Sequence, residues 1–181
     1  LKLIDVQHLN VSLPDGKGIN TVKNIEGAEL KTVTLTGSGD FNLIDKTIVG
    51  VPDGSVSLVA SNLSGKLSVN LNNTANSVKS VIAGSGDDNI NIDSVSSSLS
   101  SNGRGINVEG RAGHDVFNFS ENSDGRSAKV LVKGGDGVDK ATFAAGIDFS
   151  LSDLTIAGIE EFEFTGGSSN VKLPSTVVSG K

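Results

Sequence analysis

A recurring glycine–aspartate turn is the feature of this sequence that could carry chemistry. Its clearest copy runs from Gly134 to Thr142 and fits the nine-residue pattern G-G-x-G-x-D-x-U-x, where U is a large or aliphatic residue, although Ala141 is small for U. Consecutive glycines bend the chain without a Cβ clash, so that backbone carbonyls can point inward, and Asp139 adds an anionic oxygen. Ca²⁺ takes about six to eight such oxygens, and the turn therefore predicts a Ca²⁺ site.

The pattern recurs upstream with defined departures. Residues 83–91 keep both later positions and Asp88, with Ala83 in place of the first glycine. Residues 110–118 keep the first and fourth positions and Asp115. A fourth copy around residues 36–43 has the glycines, but Phe41 stands where the aspartate should be, which argues against a site there.

The predicted Ca²⁺ ligands are three pattern aspartates, two auxiliary aspartates and six turn residues that offer carbonyl oxygens. They are Asp88, Asp115, Asp139, Asp87, Asp136, Gly84, Gly86, Gly110, Ala112, Gly134 and Gly137. If successive coils stack at the strand spacing of ~4.8 Å, the three pattern aspartates line one edge and two ions fit between three turns. Carboxylates stacked without an ion would repel one another, so metal binding would be coupled to folding. The alternative is that each aspartate caps its own backbone in a tight bend.

The spacing of the turns predicts the fold. Gly86 and Gly113 are 27 residues apart, Gly113 and Gly137 are 24 apart, and Gly39 lies 47 before Gly86, with a degenerate turn around Gly65 between them. Strand-like alternation of apolar and polar residues surrounds the turns, and no stretch has convincing helical spacing. We expect an all-β fold: a parallel β-helix, or β-roll-like solenoid, of about seven coils.

Composition agrees with a narrow core and limits the partners. Hydrophobic residues make up 36% of 181, there are 23 glycines, and Cys, Met, Trp and Tyr are absent. Stacked Val, Ile, Leu and Phe suffice for a solenoid core, and the six phenylalanines beyond residue 115 could stack there. A net charge of −6 argues against nucleic-acid binding, and no apolar run could span a membrane. We expect one domain over residues 1–181, cut from a longer chain because it opens at Leu1 rather than Met.

No constellation in the sequence predicts catalysis. No serine lies in a nucleophile-elbow pattern, and His114 fills a variable turn position where a solvated loop residue is expected. Glu160, Glu161 and Glu163 are expected to form a solvated strand face. The serine-rich stretch from residue 94 to 101 is expected to be a surface loop.

The C-terminal part of the chain resembles a known family. Residues 133–140 (KGGDGVDK) followed by residues 158–164 (GIEEFEF) resemble the coils of bacterial RTX-type surface-layer proteins, and residues 84–88 (GSGDD) are similar to their upstream coils. The resemblance implies secretion, Ca²⁺ ligation by Asp88, Asp115 and Asp139, and Ca²⁺-driven self-assembly on the bacterial cell surface. A missing domain could bind cell-surface polysaccharide. The same turns occur in RTX adhesins and in type I-secreted toxins and enzymes, so a spacer role stays open.

Overall fold

The computed structural model describes residues 1–15, 18–50, 56–71, 78–92, 105–119, 129–144 and 153–166. All regular structure in these ranges is β-strand, and none of it is a helix that could cross a membrane. The strands are β1 (Lys2–Leu3), β2 (His8–Leu13), β3 (Ile19–Gly27), β4 (Thr32–Gly37), β5 (Asp40–Val49), β6 (Val56–Leu63), β7 (Leu67–Asn70), β8 (Val78–Ile82), β9 (Asn89–Asn91), β10 (Ile106–Ala112), β11 (Val116–Phe119), β12 (Lys129–Asp136), β13 (Lys140–Ala144), β14 (Asp153–Ala157) and β15 (Glu161–Thr165).

Consecutive strands alternate between two parallel sheets, which makes the chain a β-solenoid. The odd-numbered strands form an eight-stranded sheet in the order β1-β3-β5-β7-β9-β11-β13-β15, and the even-numbered strands form a seven-stranded sheet from β14 to β2. Every strand pairs in parallel with the strand two positions along the chain. The predicted all-β, parallel solenoid fold is confirmed.

The apolar core lies between the two sheets and is filled by every second residue. In β7, for example, Leu67 and Val69 are buried, whereas Ser68 and Asn70 are only partly so. This follows from the two-residue period of a strand, which sends alternate side chains to opposite faces. Because every coil keeps the same phase, the inward residues of neighbouring coils form continuous columns.

Phenylalanines form one of these columns, as the sequence suggested. The rings of Phe119 and Phe143 stack with centroids 4.8 Å apart and planes 3° apart, and Phe143 also stacks on Phe162 and Phe164. Phe119 and Phe143 are buried, but Phe162 and Phe164 are 42% and 56% exposed at the end of the stack. Phe149 and the serine-rich stretch lie outside the described residues.

The predicted turns all lie at the same corner of the solenoid, which we call the glycine corner. It comprises the turns that join β4 to β5, β6 to β7, β8 to β9, β10 to β11, β12 to β13 and β14 to β15. One glycine per turn forms a column there, and a Cβ added to any of the last four would lie 1.8–2.6 Å from the carbonyl oxygen of the glycine below. This glycine column consists of Gly39, Gly65, Gly86, Gly113 and Gly137. Close contact between successive turns therefore requires glycine, including in the degenerate turn at Gly65.

Candidate metal site at the glycine corner

The three pattern aspartates lie in one buried column beside the glycine column. Asp88, Asp115 and Asp139 immediately precede Asn89, Val116 and Lys140, which are aligned with one another in β9, β11 and β13. Their exposed fractions are 1%, 1% and 0%. The spacings of 27 and 24 residues thus each span one coil, and the predicted alignment is confirmed. We call these three residues the aspartate column.

One carboxylate oxygen of each aspartate is bound by the coil below. Oδ1 of Asp88 accepts a hydrogen bond from the backbone N–H of Leu67 at 2.7 Å. Oδ1 of Asp115 accepts from the N–H of Asp88, and Oδ1 of Asp139 accepts from the N–H of Asp115, both at 2.9 Å. Each side chain therefore caps the backbone of the neighbouring coil, whereas the sequence-based alternative had each aspartate capping its own turn.

The second carboxylate oxygens differ between the coils. Oδ2 of Asp88 accepts the N–H of Gly84 at 3.0 Å. Oδ2 of Asp115 and Oδ2 of Asp139 are buried and have no hydrogen-bond partner. A buried carboxylate oxygen without a donor is unfavourable, because it has lost water and gained nothing in exchange.

Each unpartnered oxygen lies over a glycine, together with a carbonyl oxygen from the coil above. A Cβ built on Gly110 would be 2.1 Å from Oδ2 of Asp115 and 2.6 Å from the oxygen of Gly134. A Cβ built on Gly134 would be 2.3 Å from Oδ2 of Asp139 and would also overlap the oxygen of Gly158. We call these two sites the acceptor cradles. Ala83 occupies the equivalent place below Asp88, which explains why the first glycine of the pattern is dispensable there.

The environment raises the pKa of all three carboxyl groups. Burial raises the pKa of Asp88 to about 6, although hydrogen bonds from Leu67 and Gly84 act in the opposite direction. Burial, with the charges of the neighbouring aspartates, raises the pKa of Asp115 to about 7. Burial and the charge of Glu160 also raise the pKa of Asp139. The column is therefore reluctant to carry its full negative charge without a positive partner.

The auxiliary aspartates are not part of this column. Asp87 is exposed, and its Oδ1 accepts the N–H of His114 at 2.8 Å. Asp136 is exposed at the end of β12, where it is aligned with Ala112. His114 is exposed as expected, and its Nδ1 lies 3.2 Å from the backbone N of Val138. The structure thus does not bring Asp87 and Asp136 to the acceptor cradles.

The predicted carbonyl ligands divide between two columns. Gly110 and Gly134 form the acceptor cradles, and Gly84 lies beside Asp88. Gly86 and Gly137 belong to the glycine column instead. Within the described ranges, no three His, Cys, Asp or Glu side chains are grouped so that they could hold a metal ion. Any ion at this corner must therefore depend heavily on backbone carbonyls.

Glu160 extends the column, which the sequence analysis did not anticipate. It was expected to lie on a solvated strand face, and it is exposed, but its Oε2 accepts the N–H of Asp139 at 2.9 Å. Its position directly before Glu161, which is aligned with Lys140, was the available signal. At the other end, Leu67 and Phe41 occupy the same column, so the carboxylates begin where the column stops being apolar.

The other two glutamates of β15 are solvated, as expected. Glu161 and Glu163 are exposed, and Glu163 forms an ion pair with Lys140 at 2.5 Å. This contact, with the charge of Glu161, raises the pKa of Lys140.

The chain was compared with protein-family models, curated proteins and solved structures, and it matches none of them. The interpretation of the glycine corner therefore depends on its own residues and geometry.

Proposed function

We propose that the chain is a non-catalytic structural segment of a secreted bacterial surface protein, and that Ca²⁺ bound along the aspartate column stabilises its solenoid. The acceptor cradles are the observation that carries the calcium part. Each combines a buried carboxylate oxygen that has no donor with a glycine carbonyl oxygen of the next coil. Carboxylate and backbone carbonyl oxygens are the ligands that Ca²⁺ prefers, and a cation would offset the repulsion within the column.

The cradles supply only part of a coordination shell. Each contains two oxygens, one from a carboxylate and one from a carbonyl, whereas Ca²⁺ takes about six to eight. Water and further turn carbonyls would have to complete the shell. The proposal therefore concerns weak sites, which are useful where free Ca²⁺ is high, as it is outside cells.

The surface role is supported by the resemblance of residues 133–140 and 158–164 to RTX-type surface-layer coils. The RTX adhesins and type I-secreted enzymes that use similar turns provide the alternative role, a spacer or folding segment. The two roles differ in self-association. A lattice unit should form ordered sheets when Ca²⁺ is added, whereas a spacer should stay a single rod, and electron microscopy of the protein with and without Ca²⁺ separates them.

Thermal unfolding tests the calcium site directly. We expect Ca²⁺ to raise the Tm of the wild-type protein above its value in excess chelator, because binding to the folded state alone stabilises it. Asp115→Asn keeps an oxygen for the N–H of Asp88 but removes the charge, and it should lose much of the Ca²⁺-dependent increase. Asp40→Asn is the matched control, since Asp40 accepts the N–H of Lys66 outside the aspartate column and should keep the increase.

A different result would assign the column a purely structural role. If Ca²⁺ leaves Tm unchanged and Asp115→Asn is as stable as wild type in chelator, the aspartates act only as caps for neighbouring coils. Mg²⁺ should reproduce little of the effect, because it demands a smaller and more regular shell.

A further inference from the structure

The two ends of the solenoid leave its core and its strand edges open. The upper end consists of β14, β15 and the turn between them, and it exposes 42% of Phe162 and 56% of Phe164. The lower end consists of β2 and residues 19–22 of β3, where Ile19 is 66% exposed. Solenoids that remain monomeric usually cover their last coil with a polar cap, and neither described end has one.

The outer strand edges at these two ends have no strand partner among the described residues. β15 pairs only with β13, and β14 pairs only with β12. At the lower end β2 pairs only with β4, and β1 covers β3 only at Glu26 and Gly27. Free N–H and C=O groups in such a row are a template for another strand.

The two ends match because every coil repeats the same arrangement. Following the paired positions from strand to strand places Val22 in the inward column that ends at Phe162. In the other sheet, Leu9 begins the inward column that ends at Ile156. Setting the lower end of one molecule on the upper end of another would continue both apolar columns and both parallel sheets.

Charge is also complementary across this contact. The upper edge strand carries Glu161 and Glu163, both exposed. On the lower edge strand Lys23, which follows Val22 as Glu163 follows Phe162, is exposed as well. In a stack that continues the columns, Lys23 would approach Glu163, whereas two upper ends facing each other would bring like charges together.

We propose that the partner of each end is a second copy of this chain, stacked head to tail so that β14 and β15 of one copy pair with β2 and β3 of the next. Such a contact is heterologous and does not close, so repetition gives a filament whose axis is the solenoid axis. The inference rests on the proposed structural role but not on calcium, because the contact uses strand edges and apolar columns away from the acceptor cradles.

Cysteine cross-linking tests the register of the contact, because the chain contains no cysteine of its own. Thr21 and Glu161 occupy the two ends of one outward column. In the proposed stack they lie on adjacent parallel strands, ~4.8 Å apart, which is within disulfide range. We expect a mixture of Thr21→Cys and Glu161→Cys proteins to form mixed disulfide dimers on mild oxidation in chelator, and neither variant to do so comparably by itself.

The matched control replaces a residue away from both ends. Val138 is 44% exposed at the side of the glycine corner, so Val138→Cys mixed with Thr21→Cys should give only background cross-linking. Sedimentation velocity should show concentration-dependent association that Phe162→Lys abolishes and Val138→Lys preserves. A chain that stays monomeric at every concentration, or mixed dimers no more abundant than in the Val138 control, would overturn the proposal and show that something other than a second copy covers these ends.

Because both measurements are made in chelator, they report on the end contact alone. Loss of the Ca²⁺-dependent rise in Tm would refute the calcium sites without touching this inference, and the reverse also holds.

Discussion

At the scale of single residues, Asp115 shows how the glycine corner balances hydrogen bonding against charge. Its Oδ1 accepts the N–H of Asp88, which stabilises the stacking of two coils. Its Oδ2 is buried without a donor, and the carboxylates of Asp88 and Asp139 lie in the coils on either side. The same side chain therefore stabilises the fold through one oxygen and, when ionised, destabilises it through the other.

This balance predicts that the metal-free protein becomes less stable as pH rises. The folded-state pKa values of Asp88 and Asp115, about 6 and about 7, exceed the ordinary value of 3.8, so the folded state holds protons that the unfolded state has lost. The stabilisation is complete below about pH 4 and is lost as pH rises to about 7, at about 1.4 kcal/mol per pKa unit.

Urea unfolding in chelator at several pH values measures this change. The free energy of unfolding should fall between about pH 5 and pH 8, where other carboxylates are already ionised. Asp115→Asn should flatten the slope, since it removes the group with the higher of the two values. A stability that is constant or increases over this interval would contradict the expectation.

At the scale of strands and turns, most of the architecture could be predicted from sequence. Alternation fixed the inward residues of strands such as β7 and β11, and the glycine spacing located the corner, including the degenerate turn at Gly65. The partners of the aspartates could not be predicted, because they are backbone groups one coil away. Glu160 was misjudged for the same reason: it lies 21 residues after Asp139, so its contact becomes visible only once the strands are aligned.

The glycine column predicts a large effect from a very small substitution. Gly113 has a φ of 122°, and an added Cβ would lie 2.4 Å from the carbonyl oxygen of Gly86, which belongs to the backbone and cannot easily move. Gly113→Ala should therefore lower the free energy of unfolding by about 1–3 kcal/mol or more. Gly18→Ala is the matched control, because nothing lies within 4 Å of its Cβ position. Equal stabilities of the two variants in urea unfolding would argue against close contact between the turns.

At the scale of the whole molecule, the solenoid is a stack in which each coil contacts mainly its two neighbours. From β10 to β12 and from β11 to β13 the structure repeats after 24 residues, as in the pairs Ile106 with Val130 and Val116 with Lys140. A segment of this length is therefore a structural unit, whereas half of it would move a strand from one sheet to the other.

Removing one complete unit should leave the fold intact. Deletion of residues 113–136 joins Ala112 to Gly137, the glycine-column equivalent of Gly113, and preserves the alternation of sheets. We expect a β-rich circular dichroism spectrum and a cooperative transition at a lower Tm, because one coil and the buried Phe117 are lost. Deletion of residues 113–124 alone should abolish cooperative unfolding, since the following strands would face the wrong sheet. The complete deletion also removes Asp115 and the cradle beneath it, so the shortened protein should respond less to Ca²⁺ than the wild type while keeping both ends and their capacity to stack.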